Sequence, residues 1–228
     1  MSVNRVRRSL RLTTLALTAL LPAPAKRAIY CHVFGYKIAA TATIRLCILD
    51  AGRVRIGEHA RIGHFTVIRN LPELVLEDHA TLGQWNWITC GEFFTNGMSE
   101  LRPPAEQGLF LGAHAALTSR HYVDCAGGVF IGAFTTVAGV RSAILTHQID
   151  FEGRQECKAV KIGDYCYIGS NARFVPGAAV GNRCVIGMGA LVAGILPECD
   201  TLYVGVPARA IRKVGDGDYF HRTVGQAR

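Results

Sequence analysis

Residues 161–194 read KIGDYCYIGSNARFVPGAAVGNRCVIGMGALVAG, and an apolar residue recurs at every sixth position. These positions are Ile162, Ile168, Phe174, Val180, Ile186 and Val192, and glycine directly follows four of them. A period of six matches neither the α-helix nor simple strand alternation. It predicts a solenoid whose coil has three short strands with a turn at each corner, and whose recurring aliphatic residues stack in the core.

The same phase is visible earlier in the chain. An aliphatic residue followed by glycine occurs at 56–57, 62–63, 82–83, 111–112 and 131–132. Glycine and asparagine suit the corners of such a coil because some turn positions require a positive φ. We therefore predict an all-β repeat domain over residues 44–204, between an N-terminal segment at 1–43 and a C-terminal extension at 205–228.

Composition fits one such domain, because the 228 residues are 50% hydrophobic and can fill a continuous core. The formal net charge of +8 is uneven, since residues 1–49 hold eight basic residues and no acid. Leucines interleave with arginine, threonine and alanine over residues 1–27, which predicts a basic amphipathic helix. This helix either lies on an anionic membrane surface or packs on the open end of the solenoid.

Several classes of protein are disfavoured. Arg11 and several threonines interrupt the N-terminal apolar stretch, which argues against a cleaved signal peptide, and the stretch is too short to cross a bilayer. The basic charge lies in an apolar segment without a recognisable nucleic-acid module, so we expect no nucleic-acid partner. The eight cysteines include no C-x-x-C pair or zinc-finger spacing, which favours a reducing compartment. We expect a cytoplasmic protein, on the inner face of the membrane if residues 1–27 bind lipid.

The hexads, together with the segment GVPARAIRK at 205–213, resemble the hexapeptide-repeat acyltransferases, especially the sugar O-acetyltransferases. The resemblance implies a left-handed parallel β-helix and a homotrimer with its active sites between subunits. It also implies transfer of an acetyl or related acyl group from acetyl-CoA to a hydroxyl of a saccharide or lipid-linked glycan, without a metal.

The repeat fails at residues 91–108 and 141–159, and the chemistry of a solenoid usually lies where its period breaks. The second break contains His147, which matches the family's catalytic histidine, so the resemblance implies that His147 is the general base. A neutral imidazole can accept a proton from a sugar hydroxyl at cellular pH. Asp124 or Asp150 would orient the imidazole or bind the acceptor. His121 would contact the substrate or be structural.

The resemblance also implies a set of coenzyme contacts. Ser170, in the corner Tyr167–Ser170, matches a serine that contacts coenzyme A in related acetyltransferases. Met188 and Ala193 match pantetheine contacts. Arg209 and Arg212 match basic residues that meet the coenzyme phosphates, for which the guanidinium group is well suited.

Two alternatives to this function remain. A γ-type carbonic anhydrase shares the fold but needs three histidines on zinc, two of them five residues apart, and no histidine lies five residues from His121 or His147. A non-catalytic scaffold at a membrane surface would also account for the basic N-terminal segment.

Overall fold

The computed structural model describes residues 3–91, 107–149 and 151–225. It begins with two helices, α1 (Val3–Ala19) and α2 (Ala23–His32). Proline occupies the second position of α2, where a helix tolerates the missing N–H. Most of the described chain after α2 is built from strands and the turns between them.

The strands of the first three coils are β1 (Lys37–Ile38), β2 (Thr43–Ile44), β3 (Ile48–Ile56), β4 (Arg61–Ile62), β5 (Val67–Leu76), β6 (Thr81–Leu82) and β7 (Trp87–Thr89). The next two coils contain β8 (Leu109–Leu111), β9 (Ala116–Leu117), β10 (Tyr122–Asp124), β11 (Val129–Ile131), β12 (Thr136–Val137) and β13 (Ala143–Ile144). An antiparallel hairpin, β14 (His147–Ile149) and β15 (Gln155–Cys157), then leaves the coil.

The last three coils contain β16 (Val160–Ile162), β17 (Tyr167–Ile168), β18 (Arg173–Phe174), β19 (Ala179–Val180), β20 (Val185–Ile186), β21 (Leu191–Val192), β22 (Ile195–Leu196) and β23 (Thr201–Val204). Strand β24 (Arg209–Lys213) returns antiparallel along β23, and a 3-10 turn follows at Asp218–Phe220.

Three parallel ladders form the walls of the solenoid. Face 1 consists of β2, β4, β6, β9, β12, β17, β20 and β23. Face 2 consists of the starts of β3 and β5 with β7, β10, β13, β18 and β21. Face 3 consists of β1, the ends of β3 and β5, and β8, β11, β16, β19 and β22. We call the edge between faces 1 and 2 the first corner, and the edge between faces 2 and 3 the second corner.

The predicted parallel coil is confirmed, and its core is the column of hexad residues. Ile62, Leu82 and Leu117 are in register on face 1, and each is fully buried. The ladder begins at Lys37, before the boundary predicted at residue 44. The break predicted at 141–159 retains β13 within the ladder, so only the hairpin departs from the coil. The other predicted break, at 91–108, falls mostly outside the described residues.

Glycine follows the hexad positions for a reason other than the positive φ predicted from the sequence. Gly63 does not have a positive φ, and a Cβ there would lie 2.6 Å from the backbone carbon of Gly83 on the next coil. Close approach of successive coils therefore requires glycine. Bulky residues supply the positive φ instead, as at His79 and His114, whose rings stack with centroids 4.6 Å apart.

Helix α1 covers the base of the solenoid, which is the packing alternative predicted for this segment. Leu15 is fully buried, and Arg11 Nε donates to Asp50 Oδ1 at 2.9 Å. Leu10 and Leu17 lie on the other side of the helix and Leu20 directly follows its end; all three remain 61–71% exposed. In the described part of the chain, no helix has the length and apolar character needed to cross a membrane.

Candidate active site

Two predicted site residues meet at the second corner. Asp124 is the last residue of β10 on face 2, and His147 is the first residue of the hairpin that leaves the coil one level above. Imidazole Nδ1 lies 2.8 Å from Asp124 Oδ2. The Asp124 side chain is only 2% exposed, whereas that of His147 is 39% exposed. The pair therefore has a buried carboxylate beneath an accessible imidazole.

Thr146 fixes the carboxylate in place. Its backbone N–H donates to Asp124 Oδ2 at 3.0 Å, and its hydroxyl oxygen lies 2.7 Å from the same atom. That hydroxyl also accepts the N–H of Gly127 at 2.8 Å. An ionised carboxylate can only accept hydrogen bonds, so His147 Nδ1 carries the proton and Nε2 is left as the basic nitrogen.

Three thiols surround this pair, and sequence reasoning assigned them no role. Cys157 stands opposite His147 in the hairpin register and is half-buried, while Cys90 and Cys125 are fully buried near Asp124. Burial, reinforced by the charge of Asp124, raises the pKa of Cys157 to about 11 and that of Cys90 to about 12. These groups are neutral thiols at pH 7, so they form an apolar wall around the pair.

His121 is buried in the wall of the solenoid. The ring is 2% exposed, its Nδ1 accepts the N–H of Ser142 at 3.1 Å, and its Nε2 lies 3.0 Å from Thr118 Oγ1. Burial lowers its pKa to about 4, so the ring is neutral and joins neighbouring coils. Asp150, the other candidate partner of His147, lies outside the described residues.

The coenzyme candidates are on other parts of the coil. Ser170 and Met188 are stacked on adjacent coils at the first corner, where Gly189 N–H donates to Ser170 O at 2.9 Å. Ala193 is at the second corner, on the same coil as Met188. Met188 is 76% exposed, and Gly189 beside it has open space where a Cβ would project. This surface leaves room for a ligand to approach the backbone closely.

Arg209 and Arg212 are exposed on β24 beside the last coil. Their guanidinium groups donate to neighbouring carbonyl oxygens, from Arg209 Nη1 to Ala208 O at 3.3 Å and from Arg212 Nη1 to Lys213 O at 3.1 Å. Neither arginine has an acidic partner among the residues that the structure describes. Both are available to phosphate oxygens, so these residues fit a coenzyme with a phosphorylated nucleotide.

Within one chain, face 2 separates Ser170 and Met188 from the Asp124–His147 pair. Six residues lead from Arg141 at the first corner to His147 at the second, a span of about 20 Å in an extended strand. Across the described ranges, no three His, Cys, Asp or Glu side chains converge as a metal site would require.

Comparison with known proteins agrees with this architecture. The family model described as bacterial transferase hexapeptide (six repeats) matches residues 159–194. The repeat region of the chain is thus similar to the bacterial hexapeptide transferases. Among solved structures, this hexapeptide-repeat chain is similar to the polysialic acid O-acetyltransferase OatWY, with a TM-score of 0.61, 17% identity and coverage of 80% of this chain and 86% of that one. It is also similar to a hexapeptide-repeat acetyltransferase of Vibrio cholerae complexed with acetyl coenzyme A, with a TM-score of 0.50, 18% identity and 90% coverage of each chain. These structures share the left-handed parallel β-helix.

Two curated relatives match by sequence. One is WbbJ of Escherichia coli K12, a proposed lipopolysaccharide biosynthesis O-acetyl transferase, 40% identical over 68 residues, which are 30% of this chain and 32% of the relative. The other is a proposed acetyltransferase of Schizosaccharomyces pombe, 37% identical over 79 residues, which are 33% of this chain and 38% of the relative. The chain thus spans about a third of the length of each.

Proposed function

We propose that this protein transfers an acetyl group from acetyl-CoA to a hydroxyl of a saccharide, with His147 as the general base. The observation that carries the proposal is the pairing of His147 Nδ1 with the buried carboxylate of Asp124 at 2.8 Å. The names of the similar proteins support the reaction class, since they include O-acetyltransferases of saccharides.

The pair suits this chemistry in a specific way. Nε2 of neutral His147 accepts the proton of the acceptor hydroxyl as that oxygen attacks the thioester carbonyl. A carbon–oxygen bond forms, the carbon–sulfur bond breaks, and the proton passes from the imidazole to the departing coenzyme sulfur. Asp124 keeps the proton on Nδ1 throughout and stabilises the imidazolium that forms. Of the two roles predicted for Asp124, orientation of His147 fits its burial better than direct contact with an acceptor.

Coenzyme A would be held through Ser170, Met188 and Ala193, with Arg209 and Arg212 at its phosphates. Because Ser170 and Met188 lie across face 2 from His147, we propose that the protein works as a homotrimer. One subunit would then supply the first corner, and its neighbour would supply the Asp124–His147 pair. A fully active monomer in a sedimentation experiment would contradict this assembly.

The acceptor would be a free saccharide or a lipid-linked glycan. The second alternative is supported by α1, because Leu10, Leu17 and Leu20 face away from the solenoid although Leu15 is buried in it. We propose that this leucine surface makes peripheral contact with an anionic membrane, with the basic residues nearby contributing attraction to lipid headgroups.

The central test is His147→Ala. We expect kcat to fall by at least about 10²-fold while the dissociation constant of coenzyme A, measured by calorimetry, changes little. Acceptors would be screened by chromatographic detection of released coenzyme A, using nucleotide sugars, glycan fragments and glycolipids. His64→Ala is a matched control, because His64 is an exposed histidine on the first corner of a distant coil. Activity of the His147 variant within a few-fold of wild type would remove His147 from the mechanism.

A further inference from the structure

We propose that the lower half of face 2 binds an acidic saccharide, and that this surface selects the acceptor. The proposal rests on the proposed function for its link to catalysis, but the binding itself can be tested separately. We call this surface the aromatic–arginine strip and define it by five residues. They are Arg69, Trp85, Trp87, Arg120 and Tyr122.

The strip is built by the register of adjacent coils. Trp87 on β7 pairs with Tyr122 on β10, so their side chains are neighbours on the outer surface of face 2. Trp85 lies at the first corner, where its ring stacks on Phe65 with centroids 4.4 Å apart. Trp85, Trp87 and Tyr122 are 43–52% exposed. Large aromatic rings left on the surface in one group usually mark a binding site.

The strip leads directly to the proposed general base. Tyr122 and Asp124 are on the same strand and project from the same face, two residues or about 7 Å apart. The candidate coenzyme residues lie on coils above His147, whereas the strip lies on the coil of Asp124 and the coils below it. A saccharide stacked on these rings would therefore approach His147 from the side opposite to the coenzyme.

The charge of face 2 determines which saccharides fit. Its strands and first corner carry five arginines, and its only acids are Asp50 and Asp124, which are buried and paired with Arg11 and His147. The five arginines are Arg45, Arg69, Arg120, Arg141 and Arg173. Within the described ranges none of the five forms an ion pair. Aromatic rings flanked by unpaired guanidinium groups match a sugar that carries carboxylate or phosphate groups.

A second copy of the chain is the competing occupant, because aromatic residues and arginine are also common at protein interfaces. Most carboxylates of the described surface already form ion pairs, as in Glu73 with Arg53 at 2.7 Å, Glu77 with Arg55 at 2.8 Å and Asp216 with Arg183 at 2.7 Å. Four described carboxylates form none, and three of these, Glu58, Asp78 and Asp164, lie at the edge between faces 3 and 1, away from face 2. An anion from outside the chain therefore complements face 2 better than another copy does.

Tryptophan fluorescence of the full-length protein gives a direct test, because Trp85 and Trp87 are the two tryptophans of the chain. The probes are a galacturonic acid hexamer, the same hexamer with its carboxylates reduced to alcohols, and a phosphorylated glucose hexasaccharide. We expect saturable binding of an acidic probe, at least about tenfold tighter than that of the reduced hexamer and weakened by added salt. Which acidic probe binds distinguishes carboxylate from phosphate. Equal affinity for all three probes would overturn the proposal.

Arg120→Gln should weaken binding of the acidic probe about tenfold, whereas the control Arg61→Gln, on face 1, should leave it unchanged. With an active acceptor, Arg120→Gln should raise KM and leave kcat nearly unchanged. If the acidic hexamer binds but no saccharide is acetylated, the proposed function fails and the strip stands. If Arg120→Gln leaves both probe affinity and KM unchanged, the strip proposal fails whatever the activity. Conversion of an oligomer to monomers by this variant, without loss of probe affinity, would assign the strip to a subunit interface.

Discussion

Replacing Asp124 with asparagine tests whether the charge of the carboxylate assists His147. The two side chains are nearly equal in size. The Thr146 N–H, the Thr146 hydroxyl and His147 Nδ1 all contact the same oxygen, Oδ2, so an amide oxygen in that position keeps these hydrogen bonds. The proton therefore stays on Nδ1, but the negative charge that stabilises the imidazolium formed in the reaction is lost.

The expected loss follows from the missing charge. General-base catalysis contributes typically 10²–10⁴-fold, so kcat of Asp124→Asn, which keeps the base but removes the charge that supports it, should fall by about 10²-fold, equivalent to about 3 kcal/mol of transition-state stabilisation. Coenzyme affinity should hardly change. Asp124→Ala removes both the charge and the acceptor of the Nδ1 proton, so it should lose at least as much activity as the asparagine variant. It should cost more stability, about 1–3 kcal/mol, because the buried Thr146 groups lose their acceptor.

The assay combines kinetics with spectroscopy. Turnover is measured as coenzyme A released at saturating acetyl-CoA, and the His147 tautomer is read from ¹⁵N chemical shifts of histidine-labelled protein. The native enzyme and Asp124→Asn should both give a protonated Nδ1. An unshifted tautomer with kcat within fivefold of wild type would refute the role of the carboxylate charge. A protonated Nε2 in the asparagine variant would refute the hydrogen-bond argument.

Other parts of the chain give three further tests. Burial lowers the pKa of His121 from 6.5 to about 4, so its neutral ring stabilises the fold fully above pH 6.5. About 3 kcal/mol of the free energy of unfolding is lost as pH falls toward 4. Urea unfolding of His121→Gln should lack that part of the pH dependence. Leu15→Ala should lower the free energy of unfolding by about 2–5 kcal/mol, whereas Leu17→Ala, on the exposed side of α1, should change it by less than about 0.5 kcal/mol. Serine at Leu10, Leu17 and Leu20 together should abolish co-sedimentation with anionic vesicles without unfolding the protein, and retained sedimentation would contradict the proposed membrane contact. This is a cleaner test than deleting residues 1–27, which would also uncover the base of the solenoid.

The sequence predicted the coil because the hexad period is a local property of the chain. The six-residue spacing predicts that a residue such as Ile168 is buried, and it also predicts the register of neighbouring coils. The role of the hexad glycines was less accessible, since the backbone that excludes a Cβ at Gly63 belongs to a different coil. No local pattern marks that approach.

The candidate site was likewise only partly predictable from the sequence. The break in the repeat made His147 a candidate, but its pairing with Asp124 joins residues 23 positions apart. The first break also falls between faces 2 and 3, because β7 before it lies on face 2 and β8 after it lies on face 3. Spacing along the chain could not have paired His147 with Asp124, because that pairing depends on which coil lies beneath the hairpin.

The position of the dyad explains why a regular wall is useful to the proposed chemistry. Asp124 is held by ladder pairing with Thr89 on the coil below, so the carboxylate cannot move without disturbing the core. His147 belongs to the hairpin and keeps one side accessible. The rigid carboxylate of Asp124 thus orients the exposed imidazole of His147, which is the preorganisation that general-base catalysis requires. Ser170 and Met188 are at the opposite edge of face 2, so in the proposed homotrimer a neighbouring copy would bring its own first corner to the Asp124–His147 pair. The proposed activity would then depend on assembly of the subunits.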